Sequence, residues 1–186
     1  MSKILIAVGG AGQEIALACL RLCHMSGIEI PTVLIVDSDQ GAGRAGVLTR
    51  SDALQHFARF LRQTRDHDCI FPLRPLAENI RERQVGTLQS LFSPMRVTPP
   101  RVKEILSLLF TDNQQMTRIV DGFHGNPTVG SVAVEDFVIQ GEFKEQLLDR
   151  IDMLTEPNVP HFVVLAGSTT GGTGPGVIPV LRPENS

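Results

Sequence analysis

Two short runs in this chain combine glycine, small hydroxyl residues and a side-chain amide between an apolar strand and the start of a helix, the setting that holds phosphate oxygens. Val8-Gly9-Gly10-Ala11-Gly12-Gln13 is the first. Glycines there let backbone N–H groups approach an anion closely, and the helix N-terminus adds partial positive charge. Gly171-Gly172-Thr173-Gly174-Pro175-Gly176, reached through Thr169 and Thr170, repeats the composition near the other end. Two such loops facing each other clamp a polyphosphate, with the N–H groups of Gly9 to Gln13 and of Gly171 to Gly174 as donors and the Thr173 hydroxyl beside them. Asp37-Ser38-Asp39 adds carboxylates at Asp37 and Asp39. In a dinucleotide enzyme one of them grips a ribose hydroxyl; the plainer reading is a turn or a helix cap.

Other chemistries find less support. The lysine-bearing phosphate loop GxxxxGK[ST] is absent. Cys19 and Cys23, four apart, would share a helix face, but no neighbouring histidine or cysteine completes a metal site, so they read as small buried residues. Asp66-His67-Asp68 and His124 invite metal or acid–base roles and read as solvated turn residues. Glu135 and Asp136, near the expected start of a helix, are explained by its dipole. The order of residues identifies no catalytic triad, and no catalytic residue is assigned.

These loops need a sheet to hold them. Ile4 to Val8 is a continuous apolar run, as expected for a strand buried on both faces of a parallel sheet. Gln13 to Met25 follows as a helix with Ile15, Cys19, Leu22 and Cys23 near one stripe, stopped by Gly27. Thr32 to Val36 forms the next buried strand, which completes a parallel, right-handed strand–helix–strand unit. The fold class is therefore α/β, a Rossmann-like parallel sheet with flanking helices. From about residue 45 to 121 strand signals are weak and helical periodicity prevails, which marks a helical insert. In it Ser51 caps a helix burying Leu54, Phe57, Ala58 and Leu61. Glu78 to Phe92 reads as a second helix, and Thr98-Pro99-Pro100 opens a third that buries Val102, Ile105, Leu106 and Leu109. A long helix from about Val134 to Leu154 carries Phe137, Leu147, Ile151 and Leu154. His161 to Ala166 is then another buried strand, running into the second glycine loop and a helix from about Val177.

Composition limits the partners. The chain has 186 residues, 42% hydrophobic and 20% charged, enough for one globular domain with a core, and a net charge of −3, which argues against general attraction to nucleic acid or anionic membrane. Between Arg50 and Lys103 ten basic residues face five acidic ones, with Arg59, Arg62 and Arg65 at helical spacing. Without interleaved aromatics this reads as a solvated face. The first apolar run is too short for a signal peptide or a membrane span. Three cysteines without CxxC spacing argue against a disulfide framework and a zinc site, which fits a reducing compartment and the expectation of a cytoplasmic protein.

Four separated segments, in order, resemble the FtsZ and tubulin superfamily, specifically its bacterial branch. Gly9-Gly10-Ala11-Gly12 is similar to the family's first phosphate loop, and Asp37-Ser38-Asp39 falls where FtsZ has an Asn-Thr-Asp turn. Gly125-Asn126-Pro127-Thr128-Val129-Gly130 resembles the loop GNPxxG near the terminal phosphate, and Thr170 to Gly176 resembles the signature GGGTG[ST]G. The resemblance implies a tubulin-like GTPase, part of a bacterial cytoskeleton, that binds GTP or GDP with Mg2+ and associates head to tail. It adds Gly125, Asn126 and Thr170 to the expected nucleotide-binding residues. The departures are a first loop about one glycine shorter, Gln13 in place of asparagine, Thr170 and Pro175 in the signature, and the helical insert. The family's base-binding loops and acidic catalytic loop would follow Ser186, so the resemblance implies an N-terminal nucleotide-binding domain, completed by a longer protein or a second chain. Three alternatives remain: a Rossmann-type NAD(P)-binding oxidoreductase or dinucleotide sensor; a molybdopterin-binding protein, which Thr169 to Gly174 resembles; and an interaction module with vestigial loops.

Overall fold

The computed structural model describes residues 2–37, 50–65, 70–72, 86–92, 100–119, 123, 125–139, 142–155 and 159–179. Among them are four strands, β1 (Ser2–Val8), β2 (Thr32–Val36), β3 (Ile70–Pro72) and β4 (His161–Gly167), which form one sheet in the order β3-β2-β1-β4. Every pairing is parallel. The layout is α/β and Rossmann-like.

Period-2 alternation decides what each face of the sheet meets. Leu5, Ala7, Val33 and Ile35 point to one face, where they pack with Ala16 and Leu20 of α1 (Gly9–Ser26) and Leu54 and Leu61 of α2 (Arg50–Arg65). Ile4, Ile6, Val8, Leu34 and Val36 point to the other. There they meet residues of α3 (Leu88–Leu91), α4 (Pro100–Leu109), α6 (Pro127–Ile139), α7 (Glu142–Leu154) and α8 (Thr173–Val177), while α5 (Asp112–Gln115) buries no residue. With helices on both faces, the strands read as continuous apolar runs rather than alternating ones.

Several elements stand as expected for clear local reasons. Gly27 takes the left-handed conformation (φ 67°) and its N–H closes on the carbonyls of Cys23 and His24, ending α1. In α2, Leu54 and Leu61 are fully buried with Phe57 and Ala58 packed beside them.

Other expectations are corrected. The buried line of α1 is Gly12, Gln13, Ala16 and Leu20; Ile15 and Leu22 are exposed, and Cys19 and Cys23 half-buried. In α4 the core positions are Leu106 and, just past its end, Phe110, whereas Ile105 and Leu109 face water; the side chain of Val102 lies outside the described residues. β3, at residues 70–72 within the expected insert, adds an edge strand to the sheet, so the segment from α2 to β3 repeats the strand–helix–strand unit. The expected long helix begins earlier, at Pro127, and is described as Pro127–Ile139 and Glu142–Leu154, with residues 140 and 141 outside the described set. Glu135 is thus the ninth residue of α6, beyond the first turn where a carboxylate would complement the dipole. Ser51 falls inside α2, which starts at Arg50. Of the expected helix from Glu78 to Phe92, residues 78–85 lie outside the described residues; Gly86 and Thr87 are not helical, Thr87 being the extended cap from which α3 starts. Asp66-His67-Asp68 and His124 also lie outside the described residues.

β4 differs most. Instead of a buried strand it is, among the described residues, the last strand of the sheet beyond β1, with His161 to Leu165 exposed and only Ala166 buried.

Candidate functional site at the ends of β1 and β4

The register pairs Val8 with Gly167, so β1 and β4 end level with each other. From Val8 the chain enters α1 on one face; from Gly167 it passes through residues 168–172 into α8, whose Val177 joins the core of the opposite face. Connections that diverge from neighbouring parallel strands leave a crevice at the carboxyl edge, the general ligand site of open α/β sheets.

Glycines let the loops close on one another. Gly9 has φ 67°, and a Cβ placed on it would stand 3.0 Å from the Thr173 Cβ and 3.6 Å from the Gly174 nitrogen. The first and last glycine loops are therefore in contact. Gly12 seats α1 directly on the sheet, since a Cβ there would lie 2.5 Å from the Ala166 carbonyl oxygen and 2.9 Å from the Ala7 carbonyl carbon. Gly130, in the first turn of α6, would bring a Cβ to 2.6 Å from the Gly172 oxygen, and Gly176 to 2.9 Å from the Gly130 backbone. Three segments distant in sequence, residues 9–13, 125–130 and 170–176, thus meet at one edge.

Each segment has its own local chemistry. α1, with Val8 at its N-cap, starts without a side-chain cap from that residue and without an acidic residue in its first turn, so its leading N–H groups have no intrahelical acceptor. Gly10 and Ala11 are half-buried there. Gln13 is buried, its Nε2 donating to Asp37 Oδ2 at 2.6 Å across to the end of β2. Among the described residues its Oε1 accepts no hydrogen bond although it is shielded from water. Leaving such an acceptor unmatched costs on the order of 1–3 kcal/mol.

At α6, Gly125 turns with φ 73°, Asn126 Oδ1 accepts from the Val129 N–H at 3.2 Å, and Pro127 opens the helix. Asn126 is the cap, which already explains its residue type, while its amide Nδ2 remains a donor at a helix N-terminus with no acidic first turn. Ser168 organises the last loop: its Oγ accepts from the Thr170 N–H and sits 3.0 Å from the Thr170 hydroxyl. The Thr170 N–H is therefore directed to Ser168. Gly171 is exposed with φ 101°, Gly172 and Thr173 are half-buried, and Gly174 packs on the Ser168 carbonyl. Pro175 is the third residue of α8, within the first turn where its missing N–H costs no helical bond.

Of the expected site residues, Gly9 to Gln13, Asp37, Gly125, Asn126 and Thr170 to Gly174 are gathered at this edge, and Asp39 lies outside the described residues. Sequence reasoning missed two supports. Phe123 is buried, with its side chain wedged against both Gly130 and Gly172, so it sets the spacing of two loops. Its signal was a lone aromatic within a run of Gly, Asp, His and Asn. Ser168 had no signal beyond the general preference of serine for local backbone bonds.

No group of three or more His, Cys, Asp or Glu gathers to hold a metal ion among the described residues. Away from the crevice, burial pushes the Cys19 thiol up from its ordinary value, with Cys23 beside it adding to the shift. No helix among the described residues is long and apolar enough to cross a membrane. No family model, curated protein or solved structure matches the chain.

Proposed function

We propose that this chain binds the phosphates of a guanine nucleotide in the crevice at the ends of β1 and β4, as the nucleotide-binding portion of a tubulin-like or FtsZ-like GTPase. The observation that carries the reading is the meeting of three glycine-bearing segments, 9–13, 125–130 and 170–176, at the carboxyl edge of two adjacent parallel strands. A dinucleotide fold needs one such loop, and a polyphosphate is suited to several.

In this reading the first-turn N–H groups of α1 hold phosphate oxygens from one side, and those of Gly171 to Gly174 hold them from the other. The Thr173 hydroxyl and Asn126 Nδ2 supply further donors. Gln13 positions Asp37. Mg2+ would be held chiefly by the nucleotide's own phosphates.

The test is competition against a fluorescent GTP analogue with Mg2+, using GTP, ATP and NAD, repeated with Thr173→Ala and Gln13→Glu. GTP displaces the probe and both substitutions weaken it, Gln13→Glu more because it sets a second carboxylate against Asp37 and near phosphate. Gly172→Ala is not informative, because its Cβ would strike Phe123 at 2.6 Å. Failure of millimolar GTP to compete would reject the proposal. A Rossmann-type NAD(P) site is the second reading, favoured by the strand order and by Asp37 at the end of β2; displacement by NAD alone would select it.

A further inference from the structure

The expected burial of Phe57 beside Leu54, Ala58 and Leu61 would leave the arginines of α2 without exposed aromatic neighbours. The structure places rings among them instead. Leu54 and Leu61 are fully buried, but Phe57 is half-buried and Phe60, next to Arg59 in the chain, is 42% exposed. The two phenylalanine rings stack, with centroids 5.6 Å apart and planes at 30°. From α1, His24 stands edge-on to both, 6.1 Å from Phe57 and 5.2 Å from Phe60. The Arg21 guanidinium lies 5.8 Å from the centre of the Phe57 ring. Arg59 reaches His56, Nη2 to Nδ1 3.5 Å, and Arg62 is exposed one turn further on.

Charge on this surface has one sign. Residues 15–28 and 53–65 contain no Asp or Glu, and the carboxylates of the two helices, Glu14 and Asp52, are nearer their N-terminal ends. The dipole of a helix acts within its last turn, so it accounts for Arg62 but for neither Arg21 nor Arg59. Neither helix contains a lysine. Arginine is the cation that stacks on planar groups and grips phosphate through two parallel hydrogen bonds.

The patch stands apart from the crevice and from β4. Residues 9 to 21 of α1 span about 18 Å at 1.5 Å per residue. Gly12, which rests on Ala166 of β4, and Arg21 are two and a half turns apart and so lie on opposite sides of α1. A strand added beyond β4 would therefore stand on the far side of α1 from the patch.

We propose that this surface binds single-stranded nucleic acid, with Arg21, Arg59 and Arg62 on phosphates and a base stacked on Phe60. Rings and arginines together serve a strand whose bases are free, and stacking accepts any base. An anionic lipid surface would be served as well by lysine and has no use for a ring cluster. The site is independent of the nucleotide reading.

Fluorescence anisotropy of a labelled oligouridylate of about 12 nucleotides, measured at about 50 and 200 mM salt, reads the binding. Three phosphate contacts to a single strand give a slope of log K against log salt near −2, so affinity falls about 20-fold over that range. Arg59→Gln brings the slope to about −1.4. Phe60→Leu weakens binding about tenfold and leaves the slope unchanged. Both side chains are exposed, so thermal unfolding of the two variants follows the wild type. Excess GTP leaves the anisotropy unchanged. No binding at about 100 μM protein, the weak end of non-specific affinity, overturns the proposal. So does a duplex of the same length that competes as well as the single strand, or Phe60→Leu binding at wild-type strength. Displacement of the oligonucleotide by GTP would place it in the crevice and overturn the proposal as well.

Discussion

Replacing Gly12 with alanine tests how α1 is seated. In an exposed helix interior Gly→Ala stabilises by roughly 1 kcal/mol through backbone entropy. At Gly12 the sign reverses. The added Cβ would lie 2.5 Å from the Ala166 oxygen and 2.9 Å from the Ala7 carbonyl carbon, both backbone atoms of the central sheet that cannot rotate away. Ordinary contact needs close to 1 Å more, so the start of α1 must lift from β1 and β4. That separates Ala16 from Leu5 and Ala7 and strains the Gln13–Asp37 bond. Overpacking of this kind costs about 1–3 kcal/mol, and the site is at the upper end because the obstacle is main chain. For a chain of this size that lowers Tm by roughly 5–10 °C. Urea unfolding at fixed protein concentration, followed by circular dichroism, measures it. Gly86→Ala is the control, because a Cβ there meets nothing within 4 Å; it is neutral or slightly stabilising. A Gly12→Ala chain as stable as the wild type would refute the close seating of α1.

Asn126→Ala removes the cap of α6 and costs about 1 kcal/mol in urea unfolding, whereas Asn126→Asp retains the cap and the stability yet weakens binding of the fluorescent GTP analogue. Equal losses in both variants would count against a separate role for the amide. Gln13→Met removes the donor to the half-buried Asp37 carboxylate and destabilises by about 1–3 kcal/mol, read by the same unfolding curves. Because burial and then Cys23 raise the Cys19 pKa, less thiolate is present near pH 8 than in an ordinary cysteine. Cys19 therefore alkylates with iodoacetamide more slowly than a small free thiol, and its rate continues to climb at pH values where the free thiol has levelled; matching rates, measured by mass spectrometry, would contradict the burial.

How much of this was legible depended on how local the cause was. The Ile4–Val8 run and the Gly27 stop each follow from steric or hydrogen-bonding preferences of a few adjacent residues, and the structure contains both. The buried line of α1 was misplaced because periodicity averages over a stripe, whereas the sheet selects one side of it: Ala16 and Leu20 sit over β1 and β2, and Ile15 and Leu22 overhang the β4 edge. β3 was missed because three residues ending in proline carry almost no strand signal and acquire one from pairing with Val33 to Ile35. The long helix was started late because its first turn, Pro127 to Gly130, lies within the segment that resembles the GNPxxG loop.

The sequence by itself determined the strand–loop–helix grammar, the glycines without which the loops could not close, and the residue types available to bind an anion, since these depend on backbone freedom and local hydrogen bonding. Only the tertiary structure decided that residues 9–13, 125–130 and 170–176 share one edge, that Gln13 spends its amide on Asp37, and that β4 pairs with β1. Strand order and register are set by which apolar faces find each other across long separations in the chain. An apolar run states that a strand is suited to burial, and the packing of the whole sheet determines whether anything buries it.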